Sequence, residues 1–209
     1  MIVVVDYGAG NIHSVARALT RVGATFVVTS EATAIAKAKS IILPGVGAAA
    51  DTMRSLRQAN VVDPVVTAIA RGIPYLGICM GLQVLFERSE ENEETQCLGV
   101  LPGTVVRFPM DRAVPHMGWN QVHQTTSTPL MNGVVQDTNF YFVHSYYAIP
   151  TVKDHIVATT DYGSPFVSAV QRDNVFATQF HPEKSGDAGL RLYANFVRFS
   201  GQRPSQAFT

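Results

Sequence analysis

The chain has 209 residues, with 16 basic and 16 acidic side chains, so its formal net charge is zero. Hydrophobic residues make up 46% and charged residues 15%, which excludes a mainly disordered chain, and the balanced charge argues against a nucleic-acid partner. There is no apolar run of the ~18 residues that a membrane helix needs, and two cysteines are too few for a disulfide framework. We therefore expect a single domain over residues 1–209 in the reducing cytoplasm, with no membrane partner.

Apolar runs and helical patterns alternate in the first half of the chain. The predicted strands are Ile2–Val5, Thr25–Thr29, Ser40–Leu43 and Pro74–Ile78. The predicted helices are Asn11–Val22, Glu31–Lys39, Asp51–Arg71 with an interruption near Pro64, and Gly81–Arg88. Strands that alternate with helices predict βαβ units and a mostly parallel sheet.

The second half is rich in β-branched and aromatic residues. It predicts strands at Thr104–Phe108, Asn139–Ala148, His155–Thr160 and Phe166–Phe180, the last divided by a turn at Arg172–Asn174. A final helix is expected over Ser185–Phe199, with Ser185 as its N-cap. The fold class is therefore α/β: a mixed, mostly parallel sheet with helices on both faces.

The sequence Gly77-Ile78-Cys79-Met80-Gly81 follows a predicted strand and precedes a predicted helix. This is the pattern of a nucleophile elbow, G-x-S-x-G, with cysteine in place of serine. At the start of a helix, the helix dipole and the free N–H groups favour a thiolate. A buried structural cysteine is the alternative, but the strand and helix around the elbow favour a nucleophile.

A cysteine nucleophile needs a base and a group that orients the base. Of the six histidines, His181 differs because it begins His181-Pro182-Glu183, just after a predicted strand. In an extended chain, residues two apart point the same way, so we expect Glu183 to accept a hydrogen bond from His181. The sequence therefore predicts a Cys79–His181–Glu183 triad.

Acyl chemistry also needs an oxyanion site built from N–H groups. The Met80 N–H is one candidate, and the glycine-rich segment Pro44-Gly45-Val46-Gly47 could supply another. Gly45–Ala50 also spells the dinucleotide-binding pattern G-x-G-x-x-A, but it follows the third predicted strand and not the first, so we reject this interpretation. No His or Cys pair has the spacing of metal ligands. We expect neither a cofactor nor a metal.

Several longer motifs point to one family. They are DYGAGN at residues 6–11, PGVG at 44–47, GICMGLQVLFERSEE at 77–91, LGVLPGTVVRF at 98–108, VPHMGWN at 114–120, YFVHSYY at 141–147 and QFHPEKS at 179–185. Together they resemble the class I (triad) glutamine amidotransferases, and among these the glutaminase subunit of imidazole glycerol phosphate synthase. The resemblance extends over nearly the whole chain.

The resemblance implies a function and a set of site residues. Glutamine would be hydrolysed to glutamate and ammonia, and the ammonia would pass to a (β/α)₈-barrel cyclase subunit in a heterodimer that serves histidine biosynthesis. The implied oxyanion residues are Val46, Gly47 and Met80. The implied glutamine ligands are Gly45, Gln83, Glu91, Ser145 and Tyr146, with Glu91 at the ammonium and the backbone of the last two at the carboxylate. The implied cyclase contacts are Asn11, Trp119, Asn120 and Lys184.

Other functions remain open at this level. The chain could serve another pathway, such as pyridoxal phosphate, purine or anthranilate synthesis, although HMGWN and FVHSYY argue against this. It could also be a non-catalytic regulatory subunit on the same scaffold, which the intact triad disfavours. A free hydrolase with a cysteine elbow is a weaker third possibility.

Overall fold

A computed structural model describes residues 1–92 and 94–205, so residue 93 and residues 206–209 of the predicted domain lie outside the described part. The strands are β1 Ile2–Val5, β2 Phe26–Thr29, β3 Ser40–Gly45, β4 Tyr75–Cys79, β5 Arg88–Ser89, β6 Thr95–Gln96, β7 Gly103–Arg107, β8 His116–Gln124, β9 Thr138–His144, β10 Tyr146–Pro150, β11 Ile156–Asp161, β12 Pro165–Arg172 and β13 Val175–Thr178. The α-helices are α1 Ile12–Arg21, α2 Ala32–Ala36, α3 Ala49–Gln58, α4 Val62–Ala70, α5 Met80–Gln83 and α6 Gly186–Phe199.

The larger sheet has nine strands in the order β2-β1-β3-β4-β13-β12-β11-β8-β9. Its strands are parallel from β2 to β13 and antiparallel from β13 to β9. A second sheet of four strands, β10-β7-β5-β6, lies beside it. The predicted mixed sheet is confirmed, with four parallel and four antiparallel strand pairs. Its parallel part consists of β1 to β4, from the half of the chain where strands and helices alternate, together with β13 from the second half.

Helices cover both faces of the large sheet, as predicted. On β1, Ile2 and Val4 point into a core shared with α1 and α6, whereas Val3 and Val5 point into a core shared with α2, α3 and α4. All four residues are buried because successive side chains of a strand alternate between the faces of the sheet. An uninterrupted apolar run is therefore the expected pattern for a strand covered on both sides.

Two predicted helices end differently from the expectation. The predicted helix Asp51–Arg71 is divided at Asn60, which has a φ of 54°, and not at Pro64. Proline is tolerated in the first turn of a helix, so Pro64 lies inside the start of α4. The predicted helix Gly81–Arg88 shrinks to the short α5, because Arg88 and Ser89 pair with two strands of the second sheet.

The predicted strand Asn139–Ala148 is two strands in different sheets. The break is at Ser145, so β9 ends on the large sheet and β10 begins on the small one. Strand β8 was not predicted, because its side chains, His116-Met-Gly-Trp-Asn-Gln-Val-His-Gln, are mostly polar or aromatic and not β-branched. These two differences matter because Ser145 lines the cavity over Cys79, and β8 pairs with β9, whose Val143 and His144 line the same cavity.

Candidate active site

Cys79 lies at the tip of the predicted elbow, between β4 and α5. Its backbone has a φ of 55° and a ψ of −105°, a conformation that costs free energy for any residue except glycine. The two flanking glycines make the turn possible. A Cβ on Gly77 would lie 2.3 Å from the carbonyl oxygen of Gly81, and one on Gly81 would lie 1.9 Å from that of Leu43. The predicted elbow is present.

The register of the sheet brings the other segments to the same edge. Gly45 at the end of β3 pairs with Cys79, and Thr178 at the end of β13 pairs with Ile78. The residues that follow these strands, Val46 on one side and Gln179 to His181 on the other, therefore flank the thiol. Ligands of parallel sheets bind at this carboxyl edge.

His181 and Glu183 form the hydrogen-bonded pair that was predicted, although not for the predicted reason. The Nδ1 atom of His181 lies 2.8 Å from Oε1 of Glu183, and both side chains are only 1% exposed. The segment is not extended, because Pro182–Lys184 forms a 3₁₀ turn that begins after His181. In this turn, the Glu183 carboxylate folds back onto the imidazole.

The imidazole of His181 carries a strongly shifted pKa. Burial lowers this pKa, but the negative sulfur of Cys79 and the carboxylate of Glu183 outweigh burial and raise it to about 10. Because Glu183 takes Nδ1, Nε2 is the nitrogen left for the thiol. The arrangement favours a positively charged imidazolium next to the sulfur of Cys79.

Ser185 lies at the predicted N-cap position of the final helix, but the predicted capping hydrogen bond is absent. Its hydroxyl instead donates to the carbonyl of His181 at 2.6 Å and accepts the N–H of Tyr141 at 3.0 Å. These bonds join the turn that begins at His181 to β9.

A cavity of about 290 Å³ opens over the thiol, close to the lower end of the range for small-molecule sites. Most of the predicted site residues line it: Val46, Gly47, Cys79, Met80, Gln83, Glu91, Ser145, Tyr146 and His181. Glu183 lies behind His181, and Gly45 is packed against the side chain of Met80, so neither is part of this lining. Sequence reasoning missed three lining residues, Pro115, Val143 and His144.

Glu91 is held in the cavity wall by the start of α3. Its Oε2 accepts the N–H of Ala49 at 2.6 Å. Partial burial raises the pKa of this carboxyl, while the bond from Ala49 opposes the shift. The second oxygen of Glu91 is thus the one available to a cationic group in the cavity.

Two buried histidines form a chain of hydrogen bonds next to the cavity. His144 Nδ1 lies 2.8 Å from the Tyr146 carbonyl oxygen, and its Nε2 lies 3.0 Å from His116 Nδ1. The Nε2 of His116 lies 3.2 Å from the amide nitrogen of Asn120. Burial lowers the pKa of His116 to about 4 and, as the main cause, that of His144 to about 3, so both are neutral at pH ~7.

Two of the predicted partner contacts, Trp119 and Lys184, lie near each other because both contact Tyr141, whereas Asn11 lies at the start of α1. Trp119 is 58% exposed, and its ring meets that of Tyr141 edge-on, with the centroids 6.2 Å apart. The Lys184 Nζ lies 5.5 Å from the centroid of the same Tyr141 ring. The Asn120 amide differs, because it is already bonded to His116 and to the carbonyl of Asp161.

Within residues 1–92 and 94–205, no three His, Cys, Asp or Glu side chains come together as metal ligands. Across the same residues, no helix has the length and apolar character needed to cross a membrane. Cys97 is half-buried against the core of α2 to α4, and burial is the main cause that raises the pKa of its thiol to about 11. Cys79 is therefore the cysteine placed for chemistry.

The elbow, the Cys–His–Glu arrangement and the mixed sheet define a class of protein. The family model of class I glutamine amidotransferases matches residues 3–198, and the chain belongs to this family. A solved glutamine amidotransferase has the same fold, with a TM-score of 0.76 and 22% identity over 96% of this chain and all of that one.

Among curated proteins, the chain is similar to the imidazole glycerol phosphate synthase subunit HisH. It is 50% identical to that subunit from Dehalococcoides mccartyi over 200 residues, which cover 96% of this chain and 98% of the relative. It is also 50% identical to the same subunit from Nitrosococcus oceani over 205 residues, with 96% and 98% coverage. The resemblance inferred from the motifs is confirmed.

Proposed function

We propose that this chain is the glutaminase subunit of an imidazole glycerol phosphate synthase in histidine biosynthesis. It hydrolyses glutamine to glutamate and ammonia, and it passes the ammonia to a (β/α)₈-barrel cyclase subunit. The cyclase makes imidazole glycerol phosphate and an aminoimidazole carboxamide ribonucleotide. The observation that carries the proposal is the 50% identity to HisH subunits over 96% of the chain, together with the buried, hydrogen-bonded His181–Glu183 pair next to the Cys79 cavity.

The triad divides the hydrolysis into two acyl transfers. The Cys79 sulfur attacks the carboxamide carbon of glutamine, and His181 gives its proton to the departing ammonia. The neutral imidazole then takes a proton from water, which attacks the thioester and releases glutamate. Glu183 holds the imidazole by Nδ1 at 2.8 Å, so Nε2 faces the reacting atoms throughout.

The residues that line the cavity are consistent with the predicted binding role of each one toward glutamine. The backbone N–H of Met80 and one from Val46 or Gly47 would stabilise the oxyanion of each tetrahedral intermediate. The carboxylate of Glu91 would bind the ammonium of glutamine. The turn at Ser145 and Tyr146, where the chain leaves one sheet for the other, would present its backbone to the substrate carboxylate.

Gln83 lines the cavity, and its existing hydrogen bonds limit how it can bind glutamine. Its amide nitrogen already donates to the Tyr146 carbonyl at 2.8 Å and to the Gln179 side-chain oxygen at 2.9 Å. Only the side-chain oxygen of Gln83 is left for the substrate, so it would accept a hydrogen bond from the glutamine carboxamide or ammonium.

We assign the cyclase contact to the surface around Trp119, with Asn11, Asn120 and Lys184. Met117 and Trp119 lie two residues apart on the exposed face of β8, where 62% and 58% of their surface is accessible. Two large apolar side chains exposed side by side are typical of an interface. Neutral ammonia must not reach bulk water, so an interface beside the cavity suits its transfer. We further propose that the chain is one amidotransferase domain, since both sheets contribute to a common core. We also propose that it works in the cytoplasm, a reducing compartment in which its two free cysteines remain thiols.

The test is transfer of nitrogen to the cyclase product. The chain and its cyclase are supplied with glutamine labelled with heavy nitrogen at the amide, in excess unlabelled ammonium. We expect the imidazole product to keep the label and a Trp119→Ala variant to lose most of it while still releasing glutamate. A product that carries only unlabelled nitrogen would refute the proposed transfer. Other amidotransferase acceptor subunits serve as the control for the pathway.

A further inference from the structure

Gln179 brings a buried amide to the reacting sulfur. It directly follows β13 and is fully buried, and its Nε2 lies 3.6 Å from Sγ of Cys79. Its backbone N–H is taken by the carbonyl of Ser168 at 2.9 Å. A buried amide is costly unless its polar atoms are bonded, so the orientation of this side chain is tightly constrained by its neighbours.

The orientation of the Gln179 amide is fixed by a backbone carbonyl two side chains away. The carbonyl of Tyr146 can only accept, so the Gln83 group 2.8 Å from it must be the nitrogen. The same nitrogen lies 2.9 Å from the Gln179 amide, which must therefore present its oxygen to Gln83. This leaves the nitrogen of Gln179 facing the sulfur. A flipped Gln179 would set two N–H₂ groups against each other and an oxygen against the thiolate.

We propose that Gln179 is a hydrogen-bond donor that stabilises the negative charge of the Cys79 sulfur, and that Gln83 positions it. The inference deepens the proposed function, since it concerns the nucleophile of the same reaction. An N–H donor favours the thiolate over the neutral thiol because hydrogen bonds to a charged acceptor are stronger. His181 supplies a positive charge on one side of the sulfur, and Gln179 supplies a dipole from β13.

The donor acts at two points of the reaction. In the first step the sulfur gives an electron pair to the carboxamide carbon, the C–N bond breaks, and ammonia leaves with the proton of His181. In the second step water adds to the thioester, its proton passes to His181, and the C–S bond breaks with its electron pair on sulfur. The thiolate that attacks and the thiolate that leaves are both stabilised by the Gln179 N–H, whereas the neutral thioester sulfur gains little from it.

The test measures the thiol without glutamine and without the cyclase. In a Cys97→Ala background, Cys79 is the chain's remaining cysteine, and its alkylation by iodoacetamide reports the thiolate fraction. We expect Gln179→Met to slow alkylation about tenfold near neutral pH, because one hydrogen bond to a charged group is lost. At high pH, where the thiol is ionised in both proteins, the variant should be alkylated at the same rate as the parent. Gln171→Met, a substitution of the same kind on β12 away from the site, should leave the profile unchanged.

A second variant keeps the proposal testable if Gln179→Met fails to fold. Gln179→Asn keeps an amide but shortens it, so it should also slow alkylation near neutral pH while it preserves the polarity of the site. An alkylation profile that is unchanged at every pH in folded Gln179→Met or Gln179→Asn protein would overturn the proposal. Normal alkylation of the parent without glutamate release in the presence of the cyclase would instead refute the proposed function and leave this inference standing.

Discussion

The buried pair His116 and His144 makes the stability of the protein depend on pH in a calculable way. Burial lowers the pKa of His116 to about 4 and is the main cause that lowers that of His144 to about 3. In the unfolded chain both titrate near pH ~6.5. The stability that the neutral pair contributes is therefore complete above about pH 6.5 and is lost as the pH falls toward the folded pKa values.

The size of the effect follows from proton uptake by the unfolded chain. Each unit of pH below the unfolded pKa lowers the free energy of unfolding by about 1.4 kcal/mol for each histidine that stays neutral when folded. Between about pH 7 and about pH 5, this amounts to about 2 kcal/mol for each histidine and about 4 kcal/mol for the pair. That is a large part of the ~5–15 kcal/mol by which proteins of this kind are stable.

The assay is urea unfolding followed by circular dichroism at both pH values. The parent protein should lose the full amount, single His116→Gln and His144→Gln variants about half of it, and the double variant almost none of it. His123→Gln is the control, because the His123 side chain is 59% exposed and pairs with Asp137 at the surface. Groups common to all the variants cancel in the comparison. If the double variant lost as much stability as the parent, the two histidines would not be neutral in the folded protein, and the reasoning would fail.

Three further outcomes are expected from the active site. Glu183→Gln should reduce cyclase-stimulated glutamate release by ~10²-fold or more, because the charge that orients His181 and stabilises its imidazolium is lost; an unchanged rate would contradict that role. Gly81→Ala should fail to fold or lose several kcal/mol (about 3 or more), since its Cβ would lie 1.9 Å from the Leu43 carbonyl oxygen, and a normal melting temperature would rule this contact out. Glu91→Gln should raise KM for glutamine about 10- to 100-fold with a smaller change in kcat; a fall in kcat alone would remove Glu91 from ammonium binding.

The elbow and the His181–Glu183 pair could be predicted because their physical requirements are local. A cysteine with a positive φ needs glycines two residues to either side, and this spacing is visible in Gly77-Ile78-Cys79-Met80-Gly81. Apolar runs such as Ile2–Val5 likewise predict strands covered on both faces. His181 and Glu183 are two residues apart, so their hydrogen bond could be expected even though the turn that makes it was not.

The remaining features depend on residues that are far apart in the sequence. Gln179 is 100 residues from Cys79 and 96 from Gln83, and nothing in its own segment shows that it faces a sulfur. The break at Ser145 arises because β9 and β10 pair with different sheets, while the sequence across it has uniform β propensity. In both cases the pairing of distant strands, and not the local residues, determines the structure.

The most direct test of the account is glutamate release from glutamine in three mixtures: the chain alone, the chain with its cyclase subunit, and both with the nucleotide substrate. Each mixture is run beside a Cys79→Ser variant. We predict slow release by the chain alone, faster release with the cyclase and its nucleotide, and none with Cys79→Ser. Release that persists in Cys79→Ser, or that is absent from the parent chain in all three mixtures, would contradict the assignment of this site as the glutaminase.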